Sequence, residues 1–202
     1  PNSTILLNMQ GASYAKLRRF NQAITCFEKA IKIKPNLADS YNNLGIVHRE
    51  TEDFDTAISK FTKAIKLRPN YAEAWNNLGV AQINYGLCED AIKSYKRAIL
   101  IKPSFADAQS NLGVALEKIG QTDEAIKCFR LAISANPNDP VSCNNLGLAL
   151  YKKGDTWPAI DFFKATLRLQ PDSPNGLRAL GVAIRNQRLT QSDPELEQLV
   201  CK

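Results

Sequence analysis

The apolar residues of this chain fall into short stripes with helical spacing, and the stripes recur. Between Ala72 and Pro103, Trp75, Leu78 and Gly79, with the residues one turn on, repeat at three- and four-residue intervals. Gly86 then interrupts, as a glycine does just past a helix C-terminus. Ala91, Ile92, Tyr95, Ala98 and Ile99 form a second stripe. Pro103 ends it, because proline has no N–H to continue a helix and turns the preceding residue away from the helical region. The pattern predicts two antiparallel helices joined by a short turn. Each helix has one apolar face, too much for a single hairpin to bury, so neighbouring hairpins must cover it.

The hairpin is one of a series. Pro1, Pro35, Pro69, Pro103, Pro137 and Pro171 fall at intervals of 34 residues. A fixed period of that length means stacked supersecondary units rather than one globular core, and it points to surface display rather than catalysis. Gly11, Gly45, Gly79, Gly113, Gly147 and Gly181 recur at one place in the first helix. Glycine inside a helix costs about 1 kcal/mol against alanine, so the recurrence predicts the close approach of another helix. Ala23, Ala57, Ala91, Ala125 and Ala159 recur in the second helix as a candidate matching surface. Phe27, Phe61, Tyr95, Phe129 and Phe163 stand among them as the large core residues.

The motif W-x-x-L-G, then A-x-x-x-F-x-x-A, then P is written in the third unit as Trp75, Leu78, Gly79, Ala91, Tyr95, Ala98 and Pro103. With its period it resembles the tetratricopeptide repeat family. Five units carry the resemblance, over 4–37, 38–71, 72–105, 106–139 and 140–173. It implies an all-α, right-handed superhelical solenoid of antiparallel helix pairs. It also implies that the first helices line a concave groove, that the activity is binding proteins or peptides, and that no cofactor is needed. There are departures. His48, Gln82, Leu116 and Leu150 stand where the family often has Tyr, and Thr166 replaces a small Ala, which is expected to loosen the last interface. Pro158 is harmless in a first turn if Asp155 is the N-cap. Residues 174–202 hold a partial sixth unit, with Leu177, Leu180, Gly181 and Ile184 in register. Ser192, Asp193, Pro194 and Glu195 then read as the start of a further helix carrying Leu196, Leu199 and Val200. That helix is either a cap on the open end of the stack or the beginning of a linker.

Beside the core stripe of the first helices runs a polar one. Asn43, Asn77, Asn111 and Asn145 occupy one place on it, and Asn42, Asn76, Ser110 and Asn144 the place before. A primary amide both donates and accepts, so it can hold a peptide bond by its N–H and C=O together. A row of amides would grip extended backbone while reading little side-chain identity. This is similar to the asparagine-lined groove in the repeat region of O-linked N-acetylglucosamine transferases. Two plainer readings stand beside it: duplication carried the Asn along, or each Asn bonds a neighbouring backbone. Ile46, Val80, Val114 and Leu148, one turn further on, are candidates for an apolar strip. Arg49, Lys118, Lys152, Arg178 and Arg185 are candidates for charge. The carboxylate clamp of chaperone-binding relatives does not carry over, because it needs Lys where this chain has Asn8, Asn42 and Asn76.

Charge and composition change the picture little. The formal net charge of +6 lies wholly in residues 1–103. A basic half could meet nucleic acid, but Lys32, Lys34, Lys66, Arg68 and Lys102 sit at predicted helix ends and Asp39, Glu73 and Asp107 at helix starts, where each complements the helix dipole. The basic residues are not interleaved with exposed aromatics, so a nucleic-acid partner is disfavoured. Five cysteines, with no C-x-x-C pair, read as reduced apolar thiols, which suits a cytoplasmic compartment. No apolar run is long enough to span a membrane. The single histidine, His48, lies at a core-type position, and no metal-ligand spacing or phosphate-cradling glycine loop is present. The sequence therefore reads as a non-catalytic scaffold for a protein or an extended peptide, with self-association left open. The alternative is a substrate-recognition or targeting module of a larger glycosyltransferase, sulfotransferase, methyltransferase or dioxygenase whose catalytic domain is not in this chain.

Overall fold

The computed structural model describes residues 3–187. The predicted helix around Leu196 lies outside them, as does Cys201. Every regular element among the described residues is an α-helix, eleven in all. The chain divides into two compact units at Pro103 and Ser104. The first holds α1 (Thr4–Lys16), α2 (Phe20–Ile33), α3 (Ala38–Glu50), α4 (Phe54–Leu67), α5 (Ala72–Asn84) and α6 (Cys88–Ile101). The second holds α7 (Ala106–Lys118), α8 (Thr122–Ala135), α9 (Pro140–Lys153), α10 (Thr156–Leu169) and α11 (Pro174–Gln187). Within each unit an odd-numbered helix packs on the even-numbered one that follows it. That second helix packs on the first helix of the next pair, and successive first helices touch.

The turns between paired helices share one geometry. The N–H of Leu87 reaches back to the carbonyl of Gln82, and that of Gly86 to Ile83. This double bond satisfies two carbonyls at the helix end and requires a left-handed residue between. Gly86, Gly120 and Gly154 supply it, at φ of 92°, 81° and 96°. Arg18 and Glu52 occupy the same place at φ of 56° and 60° without the freedom of glycine.

The core repeats with the sequence. Phe27, Phe61, Tyr95, Phe129 and Phe163 are all buried, each between its own first helix and the small residues around it. The recurrent glycine makes room for this ring, not for the alanine stripe that the sequence suggests. A Cβ placed on Gly11, Gly45, Gly79, Gly113 or Gly147 would lie 2.5–2.7 Å from the ring Cε1 sixteen residues on. The alanines instead line the floor on which the next pair sits. Leu44 and Val47 of α3 close against Ala23 and Phe27 of α2, and Ala74, Leu78 and Ala81 of α5 against Ala57, Phe61 and Ala64 of α4. Trp75 seals that joint by donating its indole N–H to the carbonyl of Pro69 at 3.0 Å.

Two departures in the sequence find their place. Asp155 is the N-cap of α10, so Pro158 falls in the first turn. Thr166 is fully buried, and its hydroxyl donates to the carbonyl of Phe162 at 3.0 Å and lies 3.5 Å from that of Pro140. The added oxygen thus has acceptors on both α10 and α9. Of the four described cysteines, Cys26 and Cys143 are buried, Cys88 and Cys128 half-buried. Burial pushes the Cys143 thiol up from its ordinary pKa.

Candidate functional site

Neighbouring residues on a helix point about 100° apart, so the two polar places on the first helices cannot face the same way. The structure separates them. Asn42, Asn76 and Ser110 are 4%, 8% and 7% exposed, and Asn42 and Ser110 are turned into the seam between successive first helices of their own unit. There Asn42 and Ser110 meet polar partners from the following pair. Ser40 Oγ donates to Asn8 Oδ1 at 2.8 Å, and Ser142 Oγ to Ser110 Oγ at 3.0 Å. Asn77 Nδ2 donates to Asn42 Oδ1 at 3.0 Å. The bonds run from side chain to side chain rather than to a neighbouring backbone. Asn43, Asn77, Asn111 and Asn145 sit on the other side of this boundary and are half-buried. Asn77 thus has one foot in the seam.

The apolar candidates one turn on follow the same face. Ile46 is half-buried against the core formed with Phe61. Val80 is also half-buried, while Leu148 is 45% exposed. In the second unit these residues border two adjoining hollows. The larger, about 520 Å³, is lined by Val114, Lys118, Asn145, Leu148 and Lys152 together with Glu117, Phe129, Ala149 and Tyr151. The smaller, about 370 Å³, is lined by Asn144, Asn145, Leu148 and Arg178 together with Tyr151, Phe163, Asn175, Ala179 and Val182. Asn145, Leu148 and Tyr151 belong to both. The structure thus brings together seven of the residues that the sequence singled out. Among the lining residues missed were Glu117, Tyr151 and Val182. Glu117 and Tyr151 share a repeat place whose residue type changes from unit to unit, so no periodic signal marks them, whereas Val182 continues the apolar place of Ile46, Val80, Val114 and Leu148 and was legible there.

The cations divide into paired and unpaired. Arg49 Nη2 lies 2.8 Å from Glu50, and Lys152 Nζ lies 3.0 Å from Glu117 Oε2. Lys118 and Arg178 are exposed and have no ion-pair partner among the described residues. His48, the one histidine, has Nδ1 3.1 Å from Asp53 Oδ2. Asp53 is also the N-cap of α4, accepting from the Thr56 N–H. The bonds from Thr56, with a smaller one from His48, hold the Asp53 carboxyl below the usual carboxylate range. His48 is therefore part of the turn between α3 and α4. Among the described residues no group of three or more His, Cys, Asp or Glu is placed to hold a metal ion. No helix among them is long and apolar enough to cross a membrane.

Comparison with known proteins follows the repeat. Models of the tetratricopeptide repeat match residues 2–70, 42–99 and 106–139, and a further TPR repeat model matches 86–120. Among solved structures the chain is similar to MamA, at 28% identity and a TM-score of 0.72, over 80% of this chain and 94% of that one. It shares its fold with PilF of Pseudomonas aeruginosa, at 19% identity and a TM-score of 0.81, over 96% and 95% of the two chains. It also shares it with YrrB, described as a TPR protein with an unusual peptide-binding site, at 20% identity and a TM-score of 0.69, over 88% and 92%. No curated protein matches the chain in sequence.

Proposed function

This chain is built of tetratricopeptide repeats, and from that premise we propose that it is a non-catalytic scaffold whose first-helix face holds an extended peptide segment of a partner protein. The observation that carries the reading is the outer amide row. Asn43 and Asn77 in the first unit, and Asn111 and Asn145 in the second, recur at one place on the face that the core leaves open. In the second unit Asn145 stands between two hollows bordered by Val114 and Leu148. A half-buried amide beside an apolar depression can take a backbone N–H and C=O while a side chain fills the depression. A peptide-binding site is described for YrrB, whose fold this chain shares.

Asn77 is a poor probe of this reading, because its removal strands the buried Asn42 Oδ1. Asn145 is the better one. With a peptide selected from an unbiased library, Asn145→Ala should weaken binding about tenfold, the worth of one or two hydrogen bonds. The melting temperature should barely move. Unchanged affinity, or a large loss of stability with no specific loss of binding, counts against the proposal.

A further inference from the structure

Two devices satisfy the inner amide or hydroxyl of the first helices α1, α3 and α7 within their own units. One is a hydroxyl 32 residues on, as Ser40 serves Asn8 and Ser142 serves Ser110. The other is an amide 35 residues on, as Asn77 serves Asn42. At Asn144 both are missing, since the corresponding residues are Gly176 and Ala179. Asn144 Oδ1 is accordingly buried without a hydrogen-bond partner among the described residues. A native protein rarely leaves such an acceptor unmet. It lies at the wall of the smaller hollow, whose other walls are the apolar Leu148, Phe163, Ala179 and Val182, with Arg178 at the margin. In the adjoining hollow Glu117 Oε1 is a second buried acceptor with no partner among the described residues, Lys152 being on Oε2.

The chemistry still missing from this surface is specific. Two acceptors want N–H donors, two exposed cations (Lys118 and Arg178) want an anion, and the floor between them wants an apolar body. An extended acidic peptide offers all three along one strand. We propose that the hollow between α9 and α11 is a specificity pocket. It takes an aliphatic side chain of an acidic peptide segment, whose backbone N–H donates to Asn144 Oδ1 and whose carboxylate meets Arg178. This deepens the binding reading above and rests on it.

The test uses the full chain and a library-selected acidic peptide, alongside the same peptide with its Asp and Glu changed to Asn and Gln. Ala179→Asn supplies Asn144 with the donor that Asn77 gives Asn42. It should raise the melting temperature and weaken the peptide at least about fivefold, since a met acceptor no longer needs the ligand. Should that variant lose stability, Ala179→Ser offers a smaller donor and is read the same way. Arg178→Glu should weaken the acidic peptide about five- to tenfold and its neutral version little, with Arg178→Lys restoring most of the loss. A higher melting temperature with unchanged affinity would mean that Asn144 is simply hydrated, and the pocket would be rejected. Equal losses for the acidic and neutral peptides would reject the anion. If Asn145→Ala weakens binding while the variants at 178 and 179 do not, the pocket falls and the first-helix face survives. If none of the three has an effect, both fall. A second copy of this chain as the occupant would appear as self-association in sedimentation, abolished by Ala179→Asn, and would overturn the assignment to a partner peptide.

Discussion

A methyl group added to Gly113 would lie 2.5 Å from Cε1 of Phe129, a distance that two carbons do not tolerate. The change to Ala gains about 1 kcal/mol of helix propensity. It then overpacks a fully buried ring, at a typical cost of about 1–3 kcal/mol. We expect Gly113→Ala to lose about 1 kcal/mol net in urea unfolding, and Phe129→Leu in the same chain to recover part of it, the sign of direct coupling. The sequence signalled that something comes close to these glycines but not what. Gly113 and Phe129 lie on different helices, and only closing the hairpin brings them together. The left-handed turn position gives a second case. Glu52 holds a φ of 60° that costs an L-residue about 1–2 kcal/mol. Part of that returns as the extra flexibility of an unfolded glycine. Glu52→Gly should therefore stabilise by about 0.5–1 kcal/mol, while Gly120→Ala should destabilise. A gain for both in thermal unfolding would contradict the turn geometry.

Between elements, the ends of paired helices are tied by charge. Arg68, the C-cap of α4, grips Asp39 in the first turn of α3 with two bonds of 2.9 and 2.7 Å. Lys102 and Glu73 repeat the pairing one unit on at 3.5 Å. At the next such place Asn136 faces Asp107 in sequence register, so no pair of this charge can form. The sequence showed these ions as separate complements to helix dipoles. That they meet depends on the hairpin bringing a C-terminus beside the N-terminus of its partner. The Arg68 hydrogen bond holds the Asp39 carboxyl below its ordinary value. A depressed acid contributes stability that is present above its unfolded pKa and lost as the pH falls through the folded one. Both side chains are about half exposed, 47% for Arg68 and 50% for Asp39, so the pair contributes at most about 1 kcal/mol. Asp39→Asn should flatten the fall in melting temperature below about pH 4. Tyr71, under the Arg68 guanidinium at 4.5 Å, titrates in the opposite sense. Burial, with a smaller contribution from Asp39, pushes its phenol up to about 12. A raised acid keeps its stability below the unfolded value near 10 and loses it as the pH climbs toward 12. Tyr71→Phe should thus soften the alkaline loss of stability between those values. An unchanged alkaline limb would show that Tyr71 is not held as the structure places it.

At the scale of the whole molecule, the excess positive charge lies in the first unit, while the second is formally neutral. The two adjoining hollows lie in the neutral unit. The proposed recognition there would depend on where Lys118, Arg178, Asn144 and Asn145 stand, not on net charge. The repeat architecture was almost wholly legible in the sequence, because a 34-residue period writes the same core five times. The site was legible only in part. Periodicity exposed the amide rows, but the two rows differ only at Ser110, and only the seam showed that one is turned inward. The place where the ladder breaks, at Gly176 and Ala179, carries no positive signal of its own.

The first-helix face is the central claim, and one measurement reaches it directly: backbone and side-chain amide NMR of the full chain titrated with a library-selected peptide. In the second unit the account predicts that shifts gather at Val114, Asn145, Leu148 and Arg178. Perturbations centred instead on exposed apolar residues of the second helices, such as Leu100 and Leu131 at 69% and 55% exposure, would contradict it.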